Sequence, residues 1–284
     1  MTKEIGWRII VLLCLVSLIF FLLIPNQKQP SNFLLVSFLD VGQGDAIYIK
    51  TPDGFEVLID GGATNQVLRE LAARKSFFDK DIDLVVATHA DADHIGGLVD
   101  VLSRYEIDNI LVSQNSHDTS ITKSFDSAVE IEGAVVHVAQ AGQQIKLGAS
   151  TTLKIFSPMG DSSNWPSNST SIVLQVIYGE TEFMLTGDAP SGVEDYLVKT
   201  NGGYLESDVL KLGHHGSKTS SSELFLDTVN PGLAIVSAGI DNRYGHPHQE
   251  VISMVEDRNI EILSTAIVGS IDLLSDGQKV WLNE

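Results

Sequence analysis

The sequence predicts an α/β domain of two stacked β-sheets with helices on their outer faces, and three observations carry that prediction. The chain opens with strand-like apolar runs joined by tight turns. Strand and helix signals then alternate, and the same strand-rich, then alternating, order returns in the second half. Histidines and aspartates gather at the ends of several of these strands, where loops from neighbouring strands can share a cleft.

Taken in order, Phe33 to Leu39, Ala46 to Lys50 and Glu56 to Ile59 read as strands. The turn Thr51-Pro52-Asp53-Gly54 makes the second and third adjacent and antiparallel. The period then changes: helix over Val67 to Ala73, strand over Leu84 to Ala87, helix over Gly97 to Ser103, strand over Asn109 to Val112 and helix over Phe125 to Glu130. Strands near Val135 to Val138, Gln144 to Leu147 and Thr152 to Phe156 precede a hairpin about Gly179, formed by Ser171 to Tyr178 and Glu182 to Thr186. Helices over Val193 to Lys199, Ser221 to Val229 and Glu250 to Asp257 alternate with strands Val209 to Leu212 and Leu233 to Val236, and short strands close the chain. This is one domain, expected over residues 32–284.

Residues 1–31 read differently. Ile9 to Ile24 is an uncharged apolar run about long enough to span a bilayer. Phe20 to Gln27 offers no small-residue cleavage site, so an uncleaved single-pass anchor is expected. Lys3 and Arg8 before the run, against Lys28 after it, place a short tip in the cytoplasm and the domain outside it. Pro25 to Ser31 is the linker.

The formal charge of −19 and the sequence pI of about 4.6 argue against a broad basic face that grips nucleic acid. The single cysteine, Cys14, excludes a disulfide framework and a thiolate metal site. Any metal must be held by His, Asp, Glu or Asn.

Thr88 to Gly97 reads Thr-His-Ala-Asp-Ala-Asp-His-Ile-Gly-Gly at the end of an apolar strand. Two imidazoles and two carboxylates so close cannot all face one ion from a regular helix or strand. A loop leaving a buried strand can splay His89, Asp91, Asp93 and His94 toward two ions, and Gly96-Gly97 then reads as the turn that launches a helix. Helix capping suits Asp91 and Asp93 but explains neither histidine. Asp188 follows a strand in Leu-Thr-Gly-Asp and can project into a shared cleft. Lys211 to Ser217 and Asn242 to His248 follow two further strands and hold four of the eight histidines. The glycine-rich Asp40 to Asp45 lacks the lysine of a phosphate loop. Asp45 and Asp60 instead suit hydrogen bonding to the histidines or to neighbouring backbone. His117 and His137 fall outside these groups.

Together, Asp40-Val41-Gly42-Gln43-Gly44-Asp45, Asp60-Gly61-Gly62, His89 to Gly97, Thr186-Gly187-Asp188, His214-His215-Gly216-Ser217 and Tyr244-Gly245-His246-Pro247 resemble the metallo-β-lactamase superfamily. The resemblance is specifically to the hydrolase domain of ComEC-type DNA-uptake proteins, and it runs from residue 33 to about residue 250. It implies a four-layer αββα sandwich with the site at one edge between the sheets. It also implies two divalent ions, and Asp91 in place of a histidine makes the site harder and more anionic, so that Mn²⁺ rivals Zn²⁺. On that pattern His89 and Asp91 belong to one ion, Asp93 and His94 to the other, and Asp188 bridges. His215 is the remaining ligand of the second ion, with His246 as competitor. The superfamily's usual first motif has histidine where this chain has Asp91, an aspartate shared by the ComEC-like branch. The third-motif histidine is absent. Asn168 matches the first Asn of the branch's polar motif, and Ser169 stands where the second usually is, which leaves the first ion few ligands.

The expected chemistry is hydrolysis of a phosphodiester, in DNA or a smaller phosphoester, by hydroxide generated at the ions near Asp93 and Asp188. His214 or His246 is expected to donate a proton to the leaving oxygen. Asn168, Ser217, Lys218 and Arg243 are expected to contact substrate, and Lys211, Lys218 and Arg243 are the basic residues nearest the motifs. The family implies single-stranded DNA as substrate, although this chain carries a single anchor where ComEC proteins have a multi-helix channel. A hydrolase of another ester and a membrane-tethered metal-binding scaffold without turnover are the alternatives.

Overall fold

The computed structural model describes residues 7, 11–15, 32–114 and 118–283. Most of the expected anchor, and His117, lie outside the described residues. Among those described, no helix is long and apolar enough to cross a membrane.

Strands β1 (Leu34–Phe38), β2 (Ile47–Lys50) and β3 (Glu56–Ile59) form an antiparallel meander, with Ile47 opposite Ile59. Helix α1 (Gln66–Arg74) leads to β4 (Asp81–Ala87), α2 (Ala92–Leu102), β5 (Glu106–Val112), α3 (Ser120–Glu132) and β6 (Val135–Val138). From β3 to β6 the strands run parallel, as helical crossovers require. The second half repeats the plan. Strands β7 (Gln144–Leu147), β8 (Thr151–Ser157), β9 (Val173–Tyr178) and β10 (Thr181–Leu185) are antiparallel. Helix α4 (Ser191–Asn201), β11 (Val209–Lys211), α5 (Glu223–Val229), β12 (Leu233–Val236), α6 (Gln249–Glu256) and β13 (Glu261–Ser264) continue it in parallel. A one-turn helix, α7 (Thr265–Val268), precedes β14 (Ile271–Ser275) and β15 (Val280–Leu282), which return to the first sheet beside β1. The sheets are eight-stranded, ordered β15-β14-β1-β2-β3-β4-β5-β6, and seven-stranded, ordered β13-β12-β11-β10-β9-β8-β7.

Alternation along the strands sorts the apolar residues into layers. Leu34, Val36, Phe38, Ile47 and Ile49 of the first sheet meet Leu153, Ile155, Leu174, Val176 and Phe183 of the second in a common core. Tyr48, Leu58 and Val85 face outward, under Val67, Leu71, Leu98 and Phe125 of α1, α2 and α3. Met184, Leu210 and Ala234 do the same under α4, α5 and α6. Each such Leu, Ile or Phe contributes about 1.5–3 kcal/mol by leaving water. The result is αββα, the layering the sequence predicts.

One element differs in a way that shapes the site. Helix α2 starts at Ala92, not at Gly97, so Asp93 and His94 lie on its first turn rather than in a loop. Gly96 and Gly97 are not a turn. A Cβ on Gly96 would lie 2.5 Å from the Ala63 carbonyl oxygen, and one on Gly97 would lie 2.1 Å from that of Gly61. The glycines let the helix press against the backbone after β3, where the Gly61 N–H donates to His94 O and the Gly97 N–H donates to Gly62 O.

Candidate metal centre

The parallel strands β3, β4, β10, β11 and β12 all end at one edge of the sandwich, and the motif residues sit on the loops that leave them or, for Asp93 and His94, on the first turn of α2. Asp60, just after β3, is fully buried with a left-handed φ of 59°. Its Oδ1 accepts from the Thr88 N–H at 2.8 Å, and its Oδ2 accepts from the Thr88 hydroxyl at 2.7 Å and from His94 Nδ1 at 2.8 Å. Having given its proton to Asp60, the Thr88 hydroxyl accepts from His89 Nδ1 at 3.0 Å. One carboxylate thereby sets the tautomer of both rings, so that each ring, when neutral, turns the lone pair of Nε2 away from it.

After β11, His214 and His215 both take left-handed backbone, with φ of 49° and 57°. Such conformations cost about 1–3 kcal/mol each in non-glycine residues and are held only where their surroundings enforce them. Here the His214 N–H donates to Gly187 O at 3.1 Å, and His215 Nδ1 donates to Ser237 O at 2.9 Å. When neutral, His215 therefore also presents Nε2 as a lone pair, while His214 Nδ1 is occupied by the Thr219 hydroxyl at 3.1 Å.

All four Nε2 atoms converge on Asp188. Its Oδ1 is 3.3 Å from His94, and its Oδ2 is 3.8 Å from His89, 3.6 Å from His214 and 3.5 Å from His215. Asp91 Oδ2 lies 3.7 Å from His89 Nε2, and Asp93 Oδ2 lies 3.4 Å from His215 Nε2. Donors held about 2.0–2.2 Å from one ion are about 3–3.5 Å apart, so these spacings suit shared ions. His89, His94 and His215 Nε2 and Asp188 Oδ1 are buried and have no hydrogen-bond partner. Buried polar atoms without partners are rare, and a set aimed at one point fits a cation.

The electrostatics agree. Burial opposes charge on His94 and His215, but carboxylates led by Asp188 outweigh it, raising His94 well above its usual value and His215 to about 9. Burial likewise opposes ionisation of Asp188, yet His215 and His94 hold its carboxyl well below the usual range. Burial, with His94 adding to it, pushes His89 down to about 4. Asp45, Asp60, Asp91, Asp93 and Asp188 outnumber Lys211 and the raised His94 and His215 here, an excess of carboxylates that suits bound cations.

The structure brings His89, Asp91, Asp93, His94, Asp188 and His215 together and sorts some of the alternatives. His215 contacts Asp93 and Asp188 directly, whereas His246 reaches the cluster through its ring, 5.3 Å from that of His214 and 6.1 Å from that of His215. His214 Nε2 lies 3.6 Å from Asp188 Oδ2, and its ring is 5.8 Å from that of His215. Asp91 takes the N-cap position of α2, but its side chain makes no capping bond. Burial lowers His214, and burial with His214 lowers His246 to about 4. Asn168 Nδ2 lies 3.5 Å from His214 Nδ1. Ser217 is buried, and its Oγ accepts from the Thr219 hydroxyl at 3.0 Å, which places it behind His214 rather than facing substrate. Lys211 is fully buried and cannot meet a phosphate. Lys218 is exposed. The Arg243 guanidinium lies 4.8 Å over the Tyr244 ring, at a groove of about 390 Å³ that Asp93 also lines. His137 lies apart from the cluster, on exposed β6 with Nε2 3.1 Å from Asn109 Oδ1.

Comparison with known proteins agrees with this geometry. Residues 39–135 match the metallo-beta-lactamase superfamily. The chain is 30% identical over 255 residues to ComE operon protein 3 of Bacillus subtilis, covering 83% of this chain and 32% of that one. It is 30% identical over 249 residues to Competence protein ComA of Neisseria gonorrhoeae, covering 86% and 33%. The chain spans about a third of the length of these curated relatives. In fold it resembles the metallo-beta-lactamase fold protein YhfI from Bacillus subtilis, with a TM-score of 0.55 and 14% identity over 88% of this chain and 99% of that one. The matched motif region, the layered fold and the competence-protein relatives agree: this chain carries a metallo-β-lactamase superfamily domain and is similar to about a third of the length of ComEC-like competence proteins.

Proposed function

We propose that the chain is a metal-dependent phosphodiesterase whose substrate is single-stranded DNA or a smaller phosphoester. The observation that carries this reading is the convergence of four imidazole Nε2 atoms on Asp188, three of them buried without a protein partner. His89, Asp91 and Asp188 suit one ion, Asp93, His94, His215 and Asp188 suit another, and His214 stands by the shared carboxylate. Divalent ions held there, Zn²⁺ or Mn²⁺, would supply Lewis acidity, activating water near neutral pH and neutralising charge on the scissile group. The harder, carboxylate-rich donor set favours Mn²⁺ more than an all-histidine set would.

The chain's own residues do the rest. Asp60 fixes the rings of His89 and His94, and Ser237 O fixes His215. Arg243 and Lys218 are the exposed cations available to a phosphate. The groove beside Asp93 falls within the about 300–1,000 Å³ of small-molecule sites. His214 by the shared carboxylate, or His246 beside it with Nδ1 unpartnered, would pass a proton to the leaving oxygen. The names of the relatives support nucleic acid as substrate, while the charge of −19 opposes a long polyanion and keeps a shorter phosphoester in view. The uncharged run Ile9 to Ile24 supports a membrane tether with the domain outside the cytoplasm.

Release of nitrophenolate from bis(p-nitrophenyl) phosphate by the purified chain, with Mn²⁺ or Zn²⁺, tests the reading. Turnover that Asp93→Ala abolishes is expected, and single-stranded DNA in the same assay ranks the substrates. No turnover with either metal on either substrate would refute it in favour of a metal-binding scaffold.

A further inference from the structure

Lys211 is the last residue of β11. Val209 faces the core between the sheets and Leu210 faces the outer helices, so alternation turns Lys211 inward as well. Its side chain has no exposure, and its ammonium pairs with the Asp45 carboxylate. It also donates to Gly187 O at 3.1 Å and lies 3.9 Å from Asp188 Oδ1. Asp45 comes from the loop between β1 and β2 in the first sheet, while Gly187 and Asp188 follow β10 in the second. One buried ammonium therefore ties the two halves of the sandwich together beside the candidate metal centre. A buried charge is costly unless paired, and an apolar residue would fill this inward position more simply.

Asp45 is close enough to the centre to compete for it. Its donor atoms and those of His94, Asp188 and His215 lie within 4.8 Å of one another. Yet Asp45 meets the backs of the rings: it is 3.3 Å from His215 Nδ1 and 3.9 Å from His94 Nδ1, while both Nε2 atoms point to Asp188. Asp93, by contrast, meets His215 at Nε2.

We infer that Lys211 is a positioning residue that holds Asp45 as an outer counter-charge and keeps this carboxylate from ligating either metal, so that coordination positions stay open for substrate. Catalytic metal sites need such open positions. The inference rests on the metal-hydrolase reading above. It makes Lys211 a brake on metal affinity as well, since its positive charge stands beside the shared carboxylate.

Cobalt(II) titration of the full chain tests it, because the visible bands report coordination number independently of activity. Wild type, Asp45→Asn, Lys211→Met and the double variant are compared. Asp45→Asn and the double variant are expected to keep the wild-type bands. Lys211→Met is expected to show the weaker bands of a higher coordination number and to bind cobalt about tenfold tighter, an effect of the size that residues surrounding ligands exert. Bands in Asp45→Asn that report a lost ligand, or a Lys211→Met variant indistinguishable from wild type, would overturn the inference. If Lys211→Met does not accumulate, the remaining pair decides. A folded double variant with wild-type bands shows that the lysine is needed only while Asp45 is charged, and a double variant that also fails to fold overturns the inference. Wild-type protein that takes up no cobalt refutes the hydrolase reading itself.

Discussion

Asp60→Asn isolates the tautomer control at the candidate centre. Asparagine tolerates the left-handed φ of 59°, so the backbone need not move. The carboxylate accepts three hydrogen bonds, from the Thr88 N–H, the Thr88 hydroxyl and His94 Nδ1. An amide has one acceptor oxygen, and its NH₂ then faces the hydroxyl and the ring. If the oxygen keeps the Thr88 N–H, His94 has two options. It can leave Nδ1–H without an acceptor, or it can move the proton to Nε2 and lose the lone pair aimed at Asp188. The first costs about 1–3 kcal/mol for each buried donor left unpaired, and the second removes a metal donor. Because the Thr88 hydroxyl relays the same carboxylate to His89, both rings are affected. Thermal unfolding should show the loss of stability, and calorimetric titration with Mn²⁺ or Zn²⁺ should show affinity weakened about 10–100-fold. An Asp60→Asn protein that is folded and binds metal as tightly as wild type would refute the argument.

Gly97→Ala drives a Cβ to 2.1 Å from the Gly61 carbonyl oxygen and 2.5 Å from that of Thr64, backbone atoms with little room to yield. It should cost about 1–3 kcal/mol or more in chemical denaturation and weaken metal binding by displacing Asp93 and His94. Lys75→Met should be strongly destabilising, by about 3–5 kcal/mol, because Lys75 pairs in the core with Glu56 and donates to Asp81 O at 2.9 Å. The loss falls below that range to the extent that Lys50, 2.8 Å from Glu56, compensates. Since Glu56 lies at the far end of β3 from Asp60, metal affinity of the folded fraction should not change. His215, held at about 9 without metal, must be neutral to ligate, so metal binding at pH 7 should release protons and tighten as pH rises toward 9. Calorimetry in buffers of different ionisation enthalpy reads that release. In the metal-free chain the same shift stabilises the fold fully below about pH 6.5, and that stabilisation is lost as pH rises through about 9, a trend visible in melting temperature.

Most of the fold was legible because its signals are local. Apolar runs of strand length, the Pro-Asp-Gly turn and the change of period to helices place nearly every element, and the layers follow from which faces must be buried. The motif residues were legible for the same reason, as His89, Asp188 and His215 each follow a strand whose end chemistry shows in the sequence. The helix after His89 was misplaced by five residues. Gly96 and Gly97 resemble a turn when read alone, and only the backbone of Gly61 and Ala63 pressed against them explains glycines inside a helix.

What the sequence by itself determined is the class of chemistry: nitrogen and oxygen donors, no thiolate, two sets of strand-end loops and a layered α/β core to carry them. The tertiary structure alone decided which atoms meet. It set His215 against Asp188 and left His246 at the rim, brought His214 to the shared carboxylate, turned Ser217 behind His214, and buried Lys211 against Asp45. Those outcomes depend on the register and stacking of two sheets whose strands are far apart in the chain, and no spacing within one loop encodes the few ångströms that separate a ligand from its neighbour.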